Sequence, residues 1–540
     1  MRRLFGLLVI NLLMLRLSRG FGGLGSRRLA MLMSASVSTP SSSSSSSMLS
    51  SDAKLARVRE LMIAERIDAF IVPTDDPHMS EYTAPHFGRR EFVSGFTGSA
   101  GTAVVLRDSA LLFTDGRYHN QAELELQGSS WTLMKHGLKD VPNFPEFLAN
   151  SLPEGSVVGY DPLLHAALPL KRMQDTLAKK KLQLKALASN LVDPVWGASR
   201  PGAPQGQLRI HAPQHAGKSI ADKMADIRAA LKAAGANALI LTTLDEIAWV
   251  FNIRGSDVPC NPVSVAYAIV TTEGNASLFI DPGKVPRDVA EILAGAGVMI
   301  QPYEEALPAV QALDSATAVK GGFIWLDGRT VNMGVYNAVH SSRCIDRESP
   351  VTLMKACKNE AELAGMRACH IRDGAAMAEF FAWLEEELTR PGRTISEVEV
   401  DERVTASRAS FGQWLEPSFP TIAGVNSNGA IVHYRAVQET CKQLTNNDMM
   451  LLDSGGQYLD GTTDVTRTFH TGKPSAHQRE MFTRVLKGHI GLDSRVFPTG
   501  TAGCFLDSFA REHLWAIGKD YIHGTGHGVG KDRKMNRNLK

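Results

Sequence analysis

The chain has 540 residues, 44% of them apolar and 21% charged, with a formal net charge of +2. That is longer than one domain of the usual ~100–200 residues, and the composition is globular, not disordered, collagenous or disulfide-rich. The six arginines before Asp52 (2, 3, 16, 19, 27 and 28) meet no acid; removing their charge from the total leaves −4, so the body is mildly acidic and argues against a nucleic-acid partner held by bulk charge.

The first segment reads as a targeting leader. Leu4–Leu15 is an apolar run of signal-peptide length, too short to span a bilayer. An arginine-rich, acid-free stretch and the serine tract Ser41–Ser47 follow, which is transit-peptide composition. The expectation is an organelle, plastid or mitochondrion, with the secretory pathway or cytoplasm as alternatives, and residues 1–51 lie outside the fold. No later segment reaches ~18 consecutive apolar residues, so no membrane contact is expected of the mature form.

Three blocks follow. In block one (52–200), Lys54–Arg66 has helical spacing and Ala69–Val72 reads as a strand. Ala103–Leu106 and Ala110–Phe113 form an expected antiparallel pair before Asp115-Gly116-Arg117-Tyr118. Block two (208–354) repeats the plan: helix Ile220–Ala234, strand Ala238–Thr242, then strands Val265–Val270 and Ala276–Ile280. The Pro/Gly-rich stretch Pro194–Gln207 links them. Block three (355–540) opens with a long helix from Asn359 to about Leu388, stopped by Pro391-Gly392. Ser396 and Glu399 have capping-box spacing. The six cysteines form no Cys-x-x-Cys pair and read as reduced core thiols.

Chemistry concentrates in block three. Met449–Asp453 is an apolar strand that ends in a carboxylate, expected in a dry site where it needs a cation or several donors. Eleven residues on, past a glycine-rich turn, comes Asp464. The two can lie side by side on adjacent strands, where a bridging metal relieves their repulsion. His523 and His527 alternate with glycines that admit close backbone approach, and His433 is read at the end of a short strand facing a cleft. Taken singly, a strand-end aspartate reads as a turn residue and a lone histidine as a satisfied core group.

Together they resemble the Xaa-Pro aminopeptidases, within the creatinase and methionine-aminopeptidase pita-bread superfamily. The motifs are FTDGRY (Phe113–Tyr118), NIRGSDVP (Asn252–Pro259), NGAIVHY (Asn428–Tyr434), LLDSGGQYLDGTTDVTRT (Leu451–Thr468) and HGTGHGVG (His523–Gly530), supported by LKGHI, FPTGT and LDSFAR between Leu486 and Arg511. NIRGSDVP with DGTTDVTRT points to the three-domain eukaryotic type. The resemblance implies two creatinase-like N-terminal α/β domains followed by a pita-bread metallopeptidase domain, α/β and α+β in class. It implies hydrolysis of the bond before a penultimate proline by two divalent ions, usually manganese, with zinc or cobalt as alternatives. Asp453, Asp464 and His527 correspond to metal ligands, His433 and His523 to catalytic and substrate-binding histidines, and Arg117 to a substrate-contacting arginine. The partners implied are peptides with proline second and a homodimer through the last domain.

The pattern departs from the family after Gly530. No glutamate follows Glu512, whereas the family's two glutamate ligands lie on later strands. The pita-bread domain is therefore expected to be incomplete, with at most one ion bound well, impaired or absent activity and weaker support for the dimer. A non-catalytic binding protein or inactive subunit of the same shape is the alternative reading. A prolidase or creatinase activity is a third.

Overall fold

The structure is a computed structural model. It describes residues 49–530 and the backbone of 533–535. The apolar run Leu4–Leu15 and the serine tract lie outside the described residues.

Two sheets built to one plan form the first two-thirds. The first follows α1 (Ser51–Ala64), whose N-cap Ser50 side chain accepts from the Ala53 amide. Its strands are β1 (Ala69–Pro73), β2 (Thr102–Leu106), β3 (Ala110–Thr114), β4 (Trp131–Lys135), β5 (Val157–Tyr160) and β6 (Gln183–Ala186). They lie in the order β4-β3-β2-β1-β5-β6, with β1, β2 and β3 antiparallel and the outer strands parallel. After α2 (Ile220–Ala234) come β7 (Ala238–Leu241), β8 (Tyr267–Thr271), β9 (Ala276–Phe279), β10 (Val298–Gln301), β11 (Ile324–Leu326) and β12 (Cys344–Asp346), in the order β10-β9-β8-β7-β11-β12. Every neighbour relation matches the first sheet. The repeat read from block order is thus a repeat of strand topology.

β1, β2 and β3 are apolar on both faces because helices or the other sheet cover each one. One face of each sheet enters a common core, where Ile71, Val104 and Phe113 pack in one cluster with Ile240, Tyr267 and Leu326. The loop after β1 adds polar ties. His78 is buried, with Nδ1 donating to the Thr242 carbonyl at 2.8 Å and Nε2 facing the Tyr303 hydroxyl at 2.9 Å. In the second sheet unit, Lys284 follows β9 and its ammonium lies 2.6 Å from the buried Asp257 carboxylate. Such a pair is tolerated at that depth because the partners neutralise each other.

The last third begins with α3 (Glu360–Thr389). Asn359 and Glu362 cap it reciprocally, and Arg390 leaves in extended conformation before Pro391-Gly392. α4 (Glu397–Ala409) has only half the expected capping box. Ser396 accepts from the Glu399 amide, but the Glu399 carboxylate turns to the Arg393 guanidinium. A three-stranded antiparallel sheet follows: β13 (Ile422–Val425), β14 (Met449–Ser454) and β15 (Val465–His470), with β14 central. α5 (Ala476–Asp493) and α6 (Gly503–Trp515) form a hairpin in which Gly488 lies against the Ala510 backbone. α5 buries Gly488 alone and exposes Phe482, Val485 and Ile490. After Gly530 the strand Arg533–Met535 pairs antiparallel with Gly528–Gly530.

Among the described residues no helix is long and apolar enough to cross a membrane. All six cysteines are free thiols, but only Cys369 is buried; Cys357 and Cys504 are exposed. The expectation of six core thiols is corrected accordingly.

Candidate metal centre and active-site cleft

A cleft of about 2630 Å³ opens between the first sheet unit and the last third of the chain. Arg117, His433, Asp453, Asp464, His523 and His527 all line it. Residues 410 positions apart in sequence, Arg117 and His527, are therefore gathered in one space.

β14 was expected to bury four apolar side chains before its aspartate. Instead it alternates: Met450, Leu452 and Ser454 are buried, while Met449, Leu451 and Asp453 are only half-buried. Leu451 and Asp453 line the cleft, so period-2 alternation, not a dry strand end, aims Asp453. Asp453 lies opposite Ile422 on one side and Thr466 on the other, and the Thr466 hydroxyl donates to its Oδ1 at 2.8 Å. Asp464 sits one residue before β15, at the end of the hairpin that leads back from β14, and not within the strand. Gly455 is obligatory in that return, since a Cβ there would lie 2.1 Å from the Thr463 carbonyl oxygen.

His433 is not at a strand end. The NGAIVHY segment forms a short 3-10 helix, Asn426–Ala430, and then a turn that carries His433. The glycines at 424 and 429 pack backbone to backbone, which prevents an extended run there. Behind this loop Glu397 acts as a hub. Its buried carboxylate accepts from the Val425 amide (2.6 Å), the Asn428 side-chain amide (3.0 Å), the Tyr434 hydroxyl (2.6 Å) and the Lys442 amide (2.8 Å).

His523 and His527 lie on the loop entering the strand Gly528–Gly530. His523 stacks on Tyr521, ring centroids 4.7 Å apart. His527 Nδ1 is 3.0 Å from its neighbour's carbonyl, that of Gly528. A carbonyl can only accept, so Nδ1 carries the proton and Nε2 presents its lone pair. That nitrogen lies 3.6 Å from Asp464 Oδ2. On the opposite wall, Arg117 is gripped by Asp115 through two bonds of 2.8 Å, and a Cβ on Gly116 would strike Ile522.

The donor chemistry suits a divalent ion: two carboxylates and an imidazole in its ligating tautomer. Among the described residues, no three His, Cys, Asp or Glu side chains are drawn together into a ready ligand cluster. The arrangement is a carboxylate–imidazole pair, Asp464 with His527, and a third donor, Asp453, on the adjoining strand.

Comparison with known proteins decides the family. Models of the Creatinase/Prolidase N-terminal domain match residues 54–190 and 199–362, and the model of Metallopeptidase family M24 matches 364–538. The "Probable Xaa-Pro aminopeptidase P" of Neosartorya fischeri is 45% identical over 486 residues, covering 88% of this chain and 73% of that protein. The chain belongs to the Xaa-Pro aminopeptidase P family. "Aminopeptidase P2" of Arabidopsis thaliana is 44% identical over 511 residues, 89% of this chain and 71% of its own. The crystal structure of X-prolyl aminopeptidase from Caenorhabditis elegans, described as a cytosolic enzyme with a di-nuclear active site, superposes with a TM-score of 0.86. It is 35% identical and covers 90% of this chain and 80% of that one. The paired sheets are thus the creatinase-type N-terminal domains, and the cleft lies between the first of them and the M24 domain of an Xaa-Pro aminopeptidase.

Several residues that shape the cleft went unread in the sequence. Tyr118 is inside the FTDGRY motif but carried no separate signal. Glu397 looks like an ordinary acid in a first helical turn, and only its four donors reveal its role.

Proposed function

We propose that this cleft hydrolyses the peptide bond between a free N-terminal residue and a following proline. The observation that carries the reading is the His527 lone pair, aimed at Asp464 in a cleft also lined by Asp453, His433, His523 and Arg117. Asp453, Asp464 and His527 hold divalent metal, with manganese the first expectation. When bound, such an ion supplies Lewis acidity, which makes hydroxide available near neutral pH and polarises the scissile carbonyl. His433 and His523 donate hydrogen bonds to the oxygen on which charge develops. Arg117, held rigid by Asp115, contacts the peptide from the first-domain wall. The X-Pro amide has no N–H to satisfy, so the pocket around it selects by shape.

Carriage to an organelle by residues 1–51, and pairing of two copies, belong to the same proposal. The alternative is a non-catalytic member of the family.

The deciding experiment uses two peptides that differ only in proline or alanine at position two, with manganese, on this polypeptide and on one extended by the C-terminal part of the Neosartorya relative. The proposal expects proline-selective cleavage by the extended chain. No cleavage by the extended chain, or equal cleavage of both peptides, overturns it. Calorimetric titration with manganese separates the alternative, which expects no binding.

A further inference from the structure

Tyr118 belongs to the first domain, yet it is bonded to a histidine of the third. Its side chain is fully buried and boxed in on several sides. Phe96 meets it edge-on at 5.9 Å, the Arg117 guanidinium lies 5.1 Å from its centroid, and the His433 ring meets it at 5.0 Å and 73°. A Cβ on Gly98 would come within 2.7 Å of the tyrosine ring. The ring thus has one seat. In it the phenol oxygen contacts two groups: Ser99 Oγ at 2.5 Å and His433 Nδ1.

Proton counting limits how these three can be arranged. Burial pushes the Tyr118 phenol above its ordinary range, so it keeps its proton. A phenol has one proton to give. If Ser99 donates to the tyrosine oxygen, the tyrosine donates to Nδ1, and a neutral imidazole then carries its proton on Nε2. The reverse order would put the proton on Nδ1. Only the first order leaves His433 with a donor other than the nitrogen that Tyr118 occupies.

We propose that Tyr118 is a positioning residue: the chain Ser99–Tyr118–His433 fixes the ring of His433 and holds its proton on Nε2, the form that donates to a substrate oxygen. This rests on the reading of His433 as a substrate-facing donor. It makes the first domain part of the catalytic apparatus and not only a wall. Arg117 reaches substrate from this domain, while Tyr118 acts through a residue of another domain. The turn bearing His433 is held from behind by Glu397, through the Tyr434 hydroxyl, and from the front by Tyr118. The turn is therefore tied on both sides, and the ring is held at Nδ1.

The test reads the tautomer directly, so it does not depend on turnover. The full chain, carrying 15N-labelled histidine and no added metal, is examined by long-range proton–nitrogen NMR at pH 8, with the His433 signals assigned by their loss in His433→Gln. The expected result is a single Nε2–H tautomer in the unaltered chain. Tyr118→Phe, which keeps the ring and removes one oxygen, should give a mixture of tautomers, and Ser99→Ala should shift the balance the same way by less. An Nδ1–H tautomer in the unaltered chain, or a pattern unchanged by Tyr118→Phe, overturns the proposal. In a catalytically active extended chain, Tyr118→Phe should lower kcat by about tenfold or more with KM little changed. If that chain fails to cleave proline peptides while the NMR result stands, the functional reading falls and the positioning of His433 remains.

Discussion

Arg408 Nε lies 2.7 Å from Asp373 Oδ1, and both side chains are almost wholly excluded from water. The pair sits beneath the return from β14 to β15. The Tyr458 and Thr463 hydroxyls donate to the same carboxylate oxygen at 2.9 and 2.8 Å, and the Arg408 guanidinium donates to the Ser454 carbonyl at 3.4 Å. Ser454 follows Asp453 and Thr463 precedes Asp464, so the ion pair braces the backbone on both sides of the two carboxylates.

Breaking that pair from one side leaves a buried charge without its counterpart. Asp373→Ala should therefore cost about 3–5 kcal/mol of stability, read as a lower urea midpoint of the M24 domain transition. A loss below about 1 kcal/mol would show that the pair is not what supports the turn.

Gly455→Ala places a methyl group 2.1 Å from the Thr463 carbonyl. The return must widen, and Asp453 and Asp464 must move apart. Manganese affinity measured by calorimetry should fall by about tenfold or more, as when ligand-orienting neighbours are altered. An unchanged affinity would mean that the carboxylates tolerate the shift and that the return is not a precision element.

Glu397→Ala removes the acceptor of four donors around the loop that bears His433. Each buried donor left unmet costs ~1–3 kcal/mol. Amide exchange over residues 426–442 should accelerate, and trypsin should cut after the exposed Arg435 in the variant before it cuts the unaltered chain. Equal cutting rates would remove Glu397 as the organiser of the loop.

The Glu246 carboxyl titrates inside the second domain, against two residues near that domain's end. Burial, and then its neighbour Asp245, push it up to about 7, against the Ser349 and Thr352 hydroxyls that donate to it. A folded-state pKa above the unfolded 4.5 favours the protonated form in the fold. The stability it contributes is present below pH 4.5 and is lost as pH rises to about 7, a change of about 3 kcal/mol. Glu246→Gln should therefore match the unaltered chain near pH 4.5 and exceed it above pH 7, in urea midpoints taken across that range. A gain that is the same at both ends would refute the assignment.

Much of this architecture was legible because it rests on local patterns. Ile220–Ala234 is an apolar stripe with Ser219 as cap and Gly235 as left-handed stop, and its ends follow from those residues. Asp453, Asp464 and His527 stood out as candidate ligands from their spacing and glycine-rich surroundings, and all three line the cleft. Less legible was anything set by a distant partner. The strand bearing Asp453 looks uniformly apolar, and only the cleft on one side makes its burial alternate. His433 lies in a turn because Gly424 and Gly429 meet, a contact that no periodicity encodes. Tyr118 finds His433 across 315 positions, and a pairing of that range leaves no mark on either local sequence.

The two creatinase-type sheets share one strand order, so their corresponding strand ends can be compared. After β3 the chain presents Arg117 and Tyr118 to the cleft; after β9, its counterpart, it turns Lys284 inward onto Asp257. A duplicated unit has thus divided its labour. One copy sets Arg117 and Tyr118 on the cleft wall, while the other holds a buried ion pair at the matching place. Both touch the third domain, the second through Trp249 to Glu362 and through Gln457 to the Cys260 carbonyl. Evolution should register that split as two kinds of constraint. Changes around Arg117 and Tyr118 are screened by what the cleft accepts, and changes around Lys284 and Asp257 by whether the protein accumulates at all.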